Sequence, residues 1–400
     1  MNIAILATLV ASLPAPLIQA QAYRFGRVWD GEKIIENAVI VVDHGEIASV
    51  GPSDAPAIDM TGYTAIPGLI DAHTHMTYVL DNPVARAGRG AATVYLSQDN
   101  AKKTLETGVT TVRNLGASNY ADIAMRDLID EGLMVGPRML VSGYGLTKPR
   151  NNGRRGPGSA LGPAEVASVV KAQVDAGADV IKMYASTGSG QDVTGDQTFD
   201  FDEIKAAVDA AHAAGKRIAI HTYGPAAARD AVRAGADSIE HATDMDDDTM
   251  AEMARKGIFY IPTIDHNRYY VDNATLLKYP PGATDALNNF IARNLETAKK
   301  AVRAGVRFAM GSDAVYTMFG QNTRELAWFV KAGMTPEQAL KTATTEGAAL
   351  LQKEDKLGRL RPGFYADIVA VEGNPLEDIG VAINNVRWVM KAGAVVVDKR

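Results

Sequence analysis

The sequence contains no cysteine among its 400 residues. Disulfide bridges, zinc–thiolate sites and thiol catalysis are therefore excluded. Charged residues are also scarce, at 22%, and the net charge of −6 argues against binding to nucleic acid or to an anionic membrane surface. Beyond residue 22, no stretch approaches the roughly 20 apolar residues of a membrane span. The hydrophobic content of 46% is nevertheless sufficient for a sizeable core.

The first 22 residues, MNIAILATLVASLPAPLIQAQA, are similar to a secretory signal peptide. An apolar run from Ile3 to Leu13 is followed by small residues at Ala20 and Ala22, as signal peptidase prefers. The basic residues that usually precede the apolar run are missing, and a buried N-terminal helix is the alternative. We expect residues 1–22 to direct the protein to the periplasm or out of the cell. If they have no such role, we expect a cytoplasmic protein.

Strand-like runs separated by tight-turn signals occupy both ends of the chain. Near the N-terminus, Asp30-Gly31 and His44-Gly45 mark turns between β-rich runs. The runs ADIVAVEG and VRWVMKAGAVVVD give the C-terminal end a similar composition. We therefore predict a small β-sandwich domain built from residues 23–66 and 357–400, on either side of a middle region of residues 67–356.

The middle region alternates short apolar runs with amphipathic helical segments, a pattern typical of a parallel α/β sheet. Segments 163–177 and 202–215 end in glycine, where a helix C-terminus is expected. Eight such units predict a (β/α)8 TIM barrel, whose active site lies at the carboxyl ends of the strands. An open, doubly wound sheet is the alternative, but no glycine fingerprint follows the first strand. The predicted strands are AIPGLIDAHTHM, VTTVRNLG, RMLVSG, DVIKMYAS, RIAIHTY, SIEHAT, GIFYIPTI and RFAMGSDA.

Six residues with metal-ligating or charged side chains lie towards the ends of five of these strands. His73 and His75 are two residues apart, so an extended strand projects both to one face. Lys182 interrupts an apolar strand, where a buried ammonium group normally requires a partner. The other three are His221, His241 and Asp313, from the fifth, sixth and eighth strands. A lone strand histidine is usually a core residue, but six such groups at one end of a barrel predict a functional site.

The segment PGLIDAHTH, followed in order by Lys182, His221, His241 and Asp313, resembles the two-metal type of the amidohydrolase superfamily. The resemblance covers essentially the whole chain after the leader. It implies that Lys182 reacts with carbon dioxide to give a carbamate that bridges two divalent metal ions. By the same resemblance, the first ion is held by His73, His75, Lys182 and Asp313, and the second by Lys182, His221 and His241. We expect Zn²⁺, although manganese, cobalt or iron also suit these ligands. An unmodified lysine that pairs with Asp313 or a loop carboxylate is the alternative.

The resemblance also implies a reaction, the hydrolysis of an amide bond by metal-activated water with Asp313 as general base. Stretches such as GVTTVRNLG, HTYG and GSDA are similar to an imidazolonepropionase-like branch. That branch includes prolidase-type dipeptidases and bacterial amidohydrolases that cleave ochratoxin. Such enzymes cleave the amide before a terminal amino acid with a free carboxylate. We therefore expect a small-molecule amide or peptide substrate. Relatives are frequently oligomeric, so the resemblance also implies a homo-oligomer.

Candidate substrate contacts lie on the loops that follow the strands. Tyr223 shares the inward face of His221 and is either a carboxylate ligand or barrel-mouth packing. His266, after the seventh strand, is a candidate for substrate binding or for oxyanion stabilisation. An apolar wall that favours a bulky aromatic substrate is predicted from Met318 and Phe319, together with Tyr269 and Tyr316. A cationic clamp, or a solvated loop, is predicted from Arg150, Arg154 and Arg155.

The chain departs from the amidohydrolase pattern at two places, some polar residues are not expected to belong to the site, and other functions compete with amide hydrolysis. Relatives often carry aspartate at the position of Asn114, and many have a Gly-Gly-His segment in the third strand loop that this chain lacks. Arg324 is discounted because the segment up to Glu325 reads as a helix N-terminus with a capping-box-like glutamate. His44 and His212 are expected to be structural. A lactonase or phosphotriesterase, and a non-catalytic amidohydrolase-like scaffold, are the competing functions.

Overall fold

The computed structural model describes residues 20–79, 84, 90–149, 153–190, 192–280 and 282–400. Most of the predicted signal segment lies outside the described residues, and so does Arg150, one of the candidate substrate contacts. The first strand already begins at Gln21. Within the described ranges, no helix has both the length and the apolar character that a membrane crossing requires.

The N-terminal part of the chain forms four strands. They are β1 (Gln21–Trp29), β2 (Ile34–Asp43), β3 (Glu46–Gly51) and β4 (Ile58–Pro67). The turns between β1 and β2 and between β2 and β3 contain Gly31 and Gly45, whose φ angles of 101° and 82° suit glycine. Both turns lie where the sequence predicts them.

Eight further strands follow, at the eight positions predicted from the sequence. They are β5 (Leu69–Thr74), β6 (Val109–Asn114), β7 (Arg138–Val141), β8 (Val180–Tyr184), β9 (Arg217–Thr222), β10 (Ser238–His241), β11 (Phe259–Ile261) and β12 (Arg307–Phe308). Neighbouring strands run parallel, in a sheet of order β5-β6-β7 and a sheet of order β12-β11-β10-β9-β8. The chain therefore has the predicted α/β fold.

Backbone hydrogen bonds also connect the edges of these two sheets. The amide of Ala72 in β5 donates to the carbonyl of Met310, two residues beyond β12, at 2.7 Å. At the other edge, the amide of Asp179, just before β8, donates to the carbonyl of Val141 in β7 at 2.7 Å. The carboxyl ends of the eight strands therefore point towards one side of the molecule.

Helices lie between and after these strands, and apolar side chains of strands and helices together form the main core. They are α1 (Gly90–Glu106), α2 (Ala121–Asp130), α3 (Gly162–Asp175), α4 (Phe201–Ala213), α5 (Pro225–Ala234), α6 (Asp247–Lys256), α7 (Ile264–Asp272), α8 (Ala283–Arg303), α9 (Glu325–Lys331), α10 (Pro336–Thr342), α11 (Thr345–Leu350) and α12 (Gly380–Asn384). Gly177 and Gly215, with φ angles of 99° and 68°, follow α3 and α4 as predicted.

The last three strands return to the N-terminal sheet. They are β13 (Ile368–Val371), β14 (Val386–Lys391) and β15 (Ala394–Asp398). The complete sheet has seven strands in the order β15-β14-β13-β4-β1-β2-β3, and the antiparallel pairing of β4 with β13 joins the two ends of the chain. Its apolar side chains, such as Phe25 and Trp388, form a separate core. The two ends thus share one sheet, as the sequence indicates.

Candidate metal centre

The six residues singled out in the sequence are all buried on or just after the strands that carry them. Three of them, His73, His241 and Asp313, bring potential ligand atoms within 4.8 Å of one another. His75 Nε2 lies 3.1 Å from Asp313 Oδ1. His221 joins through its ring, whose centroid is 4.6 Å from that of His241. Parallel strands thus place the histidines and the carboxylate at one end of the fold.

Several polar atoms of this cluster have no hydrogen-bond partner among the described residues. They are His73 Nε2, His75 Nδ1, His221 Nε2 and Lys182 Nζ. A buried donor or acceptor without a partner is costly, and most are satisfied in native structures. Imidazole nitrogens and a carboxylate form a donor set that zinc and related ions bind. The residues present therefore fit a divalent metal ion.

Burial and neighbouring charges keep His73, His221 and His241 neutral and Asp313 ionised. Burial lowers the pKa of His73 to about 4, and it lowers the pKa of His221 and His241 well below the usual value. Burial opposes ionisation of Asp313, but His266 and His73 outweigh it and hold its pKa well below the usual range. Neutral imidazole and ionised carboxylate are the forms that bind metal.

Lys182 is fully buried in the middle of β8. Burial lowers the pKa of its ammonium group to about 8, against the opposing effects of Glu240 and Asp313. The ring of Tyr184 lies 5.1 Å from its Nζ. The ammonium group of Lys182 has no direct counter-ion contact among the described residues. The alternative, a simple ion pair between Lys182 and Asp313, requires such a contact.

A buried ion pair supports His73 from behind. Glu240 Oε2 lies 2.7 Å from His73 Nδ1, and Glu240 Oε1 accepts from Arg113 Nη2 at 2.9 Å. Burial opposes ionisation of Glu240, but Arg113 and His73 lower its pKa to about 2. Arg113 also donates to Ser238 Oγ at 2.9 Å. A carboxylate behind a ligating histidine fixes its tautomer and orientation, so this pair is suited to hold His73 with Nε2 towards the cluster.

Asp71 fixes the backbone on which Asp313 stands. Its carboxylate accepts from the amide and the hydroxyl of Ser312 at 2.9 and 2.6 Å and from Asn322 Nδ2 at 3.0 Å. Asp313 itself has a φ of 52°, and His241 one of 73°, in the left-handed region that non-glycine residues rarely occupy. Such strained positions persist only where the surroundings hold them, and they are concentrated at functional sites.

Two candidate substrate contacts lie within this site. Tyr223 stacks on His221 with ring centroids 5.1 Å apart and on Phe290 at 4.8 Å. His266 Nε2 lies 3.3 Å from Asp313 Oδ2, and its Nδ1 lies 2.8 Å from the Asp313 carbonyl oxygen. Both residues are almost completely buried. Their roles towards a substrate stay predictions.

The other sequence candidates are placed less directly. Met318 and Phe319 are buried in the main core, and the roles predicted for them stay predictions. His212 lies in α4 and His44 in a turn, as expected. The prediction for Glu325 was wrong. It does not reach back to its own helix; it caps α7 instead, 61 residues earlier in the sequence.

A cavity of 450 Å³ adjoins the cluster, at the ends of the first four strands of the middle region. Tyr78 and Tyr184 line it, and Tyr78 stacks on His75 at 4.4 Å between ring centroids. Cationic side chains also line it, namely Lys148, Arg154 and Arg155. Neither tyrosine was predicted from the sequence. Tyr184 had a usable signal, because it lies two residues after Lys182 on the same strand.

Fold and site together define an α/β enzyme with a candidate metal centre at its strand ends. Comparison with known proteins agrees with this class. The amidohydrolase family matches residues 64–396. An ochratoxinase from Aspergillus niger is 30% identical over 396 residues, covering 88% of this chain and 80% of its own. An imidazolonepropionase from Streptomyces avermitilis is 28% identical, covering 85% of this chain and 81% of its own.

The fold comparison gives the same result. A solved structure of a Xaa-Pro dipeptidase with methionine bound in its active site has a TM-score of 0.85 and 30% identity, and the match covers 94% of this chain and 99% of that one. The chain belongs to the amidohydrolase family. It is thus a hydrolase that acts on carbon–nitrogen bonds of the amide type, in a family whose members typically depend on metal ions. The predicted resemblance, including the imidazolonepropionase- and prolidase-like branch, is confirmed.

Proposed function

We propose that the protein is a two-metal amidohydrolase that cleaves the amide bond before a C-terminal amino acid with a free carboxylate. The observation that carries the proposal is the set of buried ligand atoms around Asp313 that have no hydrogen-bond partner in the described part of the chain. His73, His75 and Asp313 would hold one zinc ion, and His221 and His241 the other. Lys182, carboxylated by carbon dioxide, would be the ligand common to both. Among the described residues its buried amine has no counter-ion, which supports this, since a bridging anion gives Nζ a role that burial alone does not.

Bound divalent ions supply polarisation of the scissile carbonyl and a lowered pKa for water. The chain's own residues then manage the protons. Asp313 accepts a proton from the attacking water and returns it to the leaving nitrogen, so it acts as general base and then as general acid. Between these steps Asp313 is protonated, and His266 Nε2, 3.3 Å from Asp313 Oδ2, would accept a hydrogen bond from its carboxyl group. Glu240 and Arg113 hold His73 in place throughout.

The substrate proposal is an N-acyl amino acid or dipeptide with an aromatic group. The cavity beside His75 supports it, because Tyr78, Tyr144 and Tyr184 offer ring surfaces. Lys148 and Arg154 line the same cavity, and Lys148 pairs with Glu203. Tyr223 and His266 would contact the scissile end, and Arg150, Met318 and Phe319 stay proposed contacts. Among the proteins similar to this chain, one is named as an ochratoxinase and another as a Xaa-Pro dipeptidase.

A matched substrate panel tests the proposal. We expect N-acetyl-L-phenylalanine and ochratoxin A to be hydrolysed by the zinc-loaded protein. N-acetyl-L-phenylalanine amide should be turned over at least about 10²-fold more slowly, since the carboxylate supplies charge-assisted hydrogen bonds. Release of free amino acid is measured by chromatography. A lactone and a phosphotriester serve as competing substrates, and preference for either would contradict the proposal, as would equal rates for the acid and its amide.

Support of the metal by the ion pair gives a separate prediction. Replacing Glu240 with glutamine should weaken zinc binding about 10- to 100-fold, because the histidine loses its orienting carboxylate. Competition with a fluorescent chelator measures the affinity. Glu337→Gln is the control, since Glu337 lies on α10 and pairs with Lys341 at the surface. Unchanged zinc affinity in Glu240→Gln would show that the Glu240–His73 contact does not support the metal.

The architecture proposal extends the observed sheets. We propose that the eight parallel strands close as a (β/α)8 barrel over residues 67–356, with a β-sandwich from residues 23–66 and 357–400. Hydrogen bonds at both edges between the two parallel sheets support closure. An exported protein with a signal segment at residues 1–22 and assembly as a homo-oligomer stay proposals from the sequence.

A further inference from the structure

One turn of the chain carries two residues that contact the site. Helix α7 begins at Ile264, directly after Thr263, whose φ of 49° is left-handed. The Thr263 hydroxyl lies 2.7 Å from His241 Nδ1. It makes no capping bond to α7. Because the threonine serves His241, the N-terminus of α7 depends on another residue for its cap.

Glu325, the first residue of α9, provides this cap from outside the helix. The Ile264 amide donates to Glu325 Oε1 at 2.9 Å, and the Asp265 amide donates to Glu325 Oε2 at 2.8 Å. The glutamate is fully buried. Burial raises the pKa of Glu325 to about 8. Its two side-chain oxygens nevertheless satisfy two of the N–H groups that a helix N-terminus leaves without an intrahelical partner.

Two more residues beside Glu325 hold the same turn. Trp328 Nε1 donates to Asp265 Oδ1 at 3.0 Å, and Arg324 Nε lies 3.2 Å from Asp265 Oδ2. Asp265 is itself buried. Residues at the start of α9 therefore contact the first turn of α7 at the backbone amides of Ile264 and Asp265 and at the Asp265 side chain.

The opposite side of the turn faces the metal cluster. His266 contacts Asp313 through both ring nitrogens, at 2.8 Å to the carbonyl oxygen and 3.3 Å to Oδ2. Thr263 contacts His241 at the other end of the turn. Any shift of this turn away from α9 would move both contacts. The contacts with α9 on one side of the turn therefore fix the positions of His266 and Thr263 on the other side.

We infer that Glu325 is a positioning residue for the reaction, which acts by fixing His266 against Asp313 through the first turn of α7. The inference rests on the proposed function, because it concerns the same site. The sequence around Glu325 does not reveal this role, since the two amides that donate to Glu325 lie 60 and 61 residues away in the sequence. Glu325 touches no reacting atom in this arrangement; its effect passes through His266.

The first test reads the position of His266 without any need for activity. Glu325→Gln preserves the side-chain shape but sets an amide NH2 group against one of the two backbone N–H groups. In protein labelled with 15N-histidine, we expect the ring signals of His266 and His241 to shift. The control is Glu296→Gln, on the surface of α8 where Glu296 pairs with Lys299. It should leave those signals unchanged. Unchanged His266 signals in Glu325→Gln would overturn the inference.

The second test is a double-mutant cycle on N-acetyl-L-phenylalanine hydrolysis. Glu325→Gln should lower kcat by about 10- to 100-fold, because a small misplacement of a catalytic group has effects of this size. KM should change little. In a His266→Ala background, the same substitution should change kcat by less than about 2-fold, since coupled residues are not additive. If Glu325→Gln lowered kcat by the same factor in the wild-type and His266→Ala backgrounds, the inference that Glu325 acts through His266 would be overturned.

The two tests separate this inference from the proposed function. A wild-type protein that hydrolyses no N-acyl amino acid would contradict the proposed function, while the histidine spectra would still decide whether Glu325 holds His266. If Glu325→Gln does not fold, Trp328→Phe replaces it in both measurements, because it removes only the indole N–H bond to Asp265. The same shifts and the same loss of additivity are expected from that variant, and their absence would overturn the inference.

Discussion

Replacing Lys182 with methionine is expected to abolish hydrolysis and stabilise the metal-free protein. Activity should fall at least about 10³-fold, because the bound metal ions lower the activation barrier by several kcal/mol. About 1.4 kcal/mol corresponds to a factor of ten in rate. Methionine fills a similar shape without a polar atom. The buried amine has no partner within the ranges that the structure describes, so its removal should raise the free energy of unfolding by about 1–3 kcal/mol. Urea denaturation of the metal-free proteins measures the stability.

Opposite signs for activity and stability make this prediction specific. Replacing a residue that only supports the fold would lower activity and stability together. Lys171→Met is the matched control, because Lys171 lies exposed on α3 and pairs with Asp175. It should leave turnover and zinc content unchanged. Near-normal hydrolysis by Lys182→Met would contradict the proposed bridging role of the lysine.

Replacing Asp313 with asparagine is expected to lower kcat by about 10²- to 10⁴-fold, the range that general acid–base catalysis contributes. The histidines should retain much of the zinc. Asparagine keeps the shape and one oxygen ligand but cannot accept the proton of water. Because substrate contacts are unaffected, KM should change by less than about 3-fold. Steady-state kinetics and zinc content by atomic spectroscopy measure the two effects.

A surface aspartate provides the control for this substitution. Asp209→Asn, on α4 where Asp209 pairs with Lys205, should leave kcat and zinc content at wild-type values. Full turnover by Asp313→Asn would exclude it as the general base. A variant without zinc would instead assign the residue to metal retention, and the proton transfer would then need another group.

The strands and the cluster were predictable because their signals are local. Apolar runs flanked by helical patterns placed all eight parallel strands, and the two-residue spacing of His73 and His75 put both on one strand end. Lys182 stood out because a cation in such a run needs an explanation. Each of these inferences used only the residue and its immediate neighbours, together with the rule that parallel strands end on one side.

The supporting residues were not predictable because their partners are far away in sequence. Glu240 contacts His73 across 167 positions, and Glu325 contacts Ile264 across 61. Glu325 was predicted to cap its own helix, because a local pattern of that kind is usually a capping box. The packing of α9 on α7 decides otherwise, and no spacing rule contains that information.

The most direct test of the account is a crystal structure of the protein grown with zinc and bicarbonate, with anomalous data collected at the zinc edge. We predict two zinc peaks among His73, His75, His221, His241 and Asp313, with carbamate density that extends from Lys182 Nζ between them. Two occupied zinc sites beside an unmodified Lys182 would contradict it, and so would a single ion bound without any contact to the lysine.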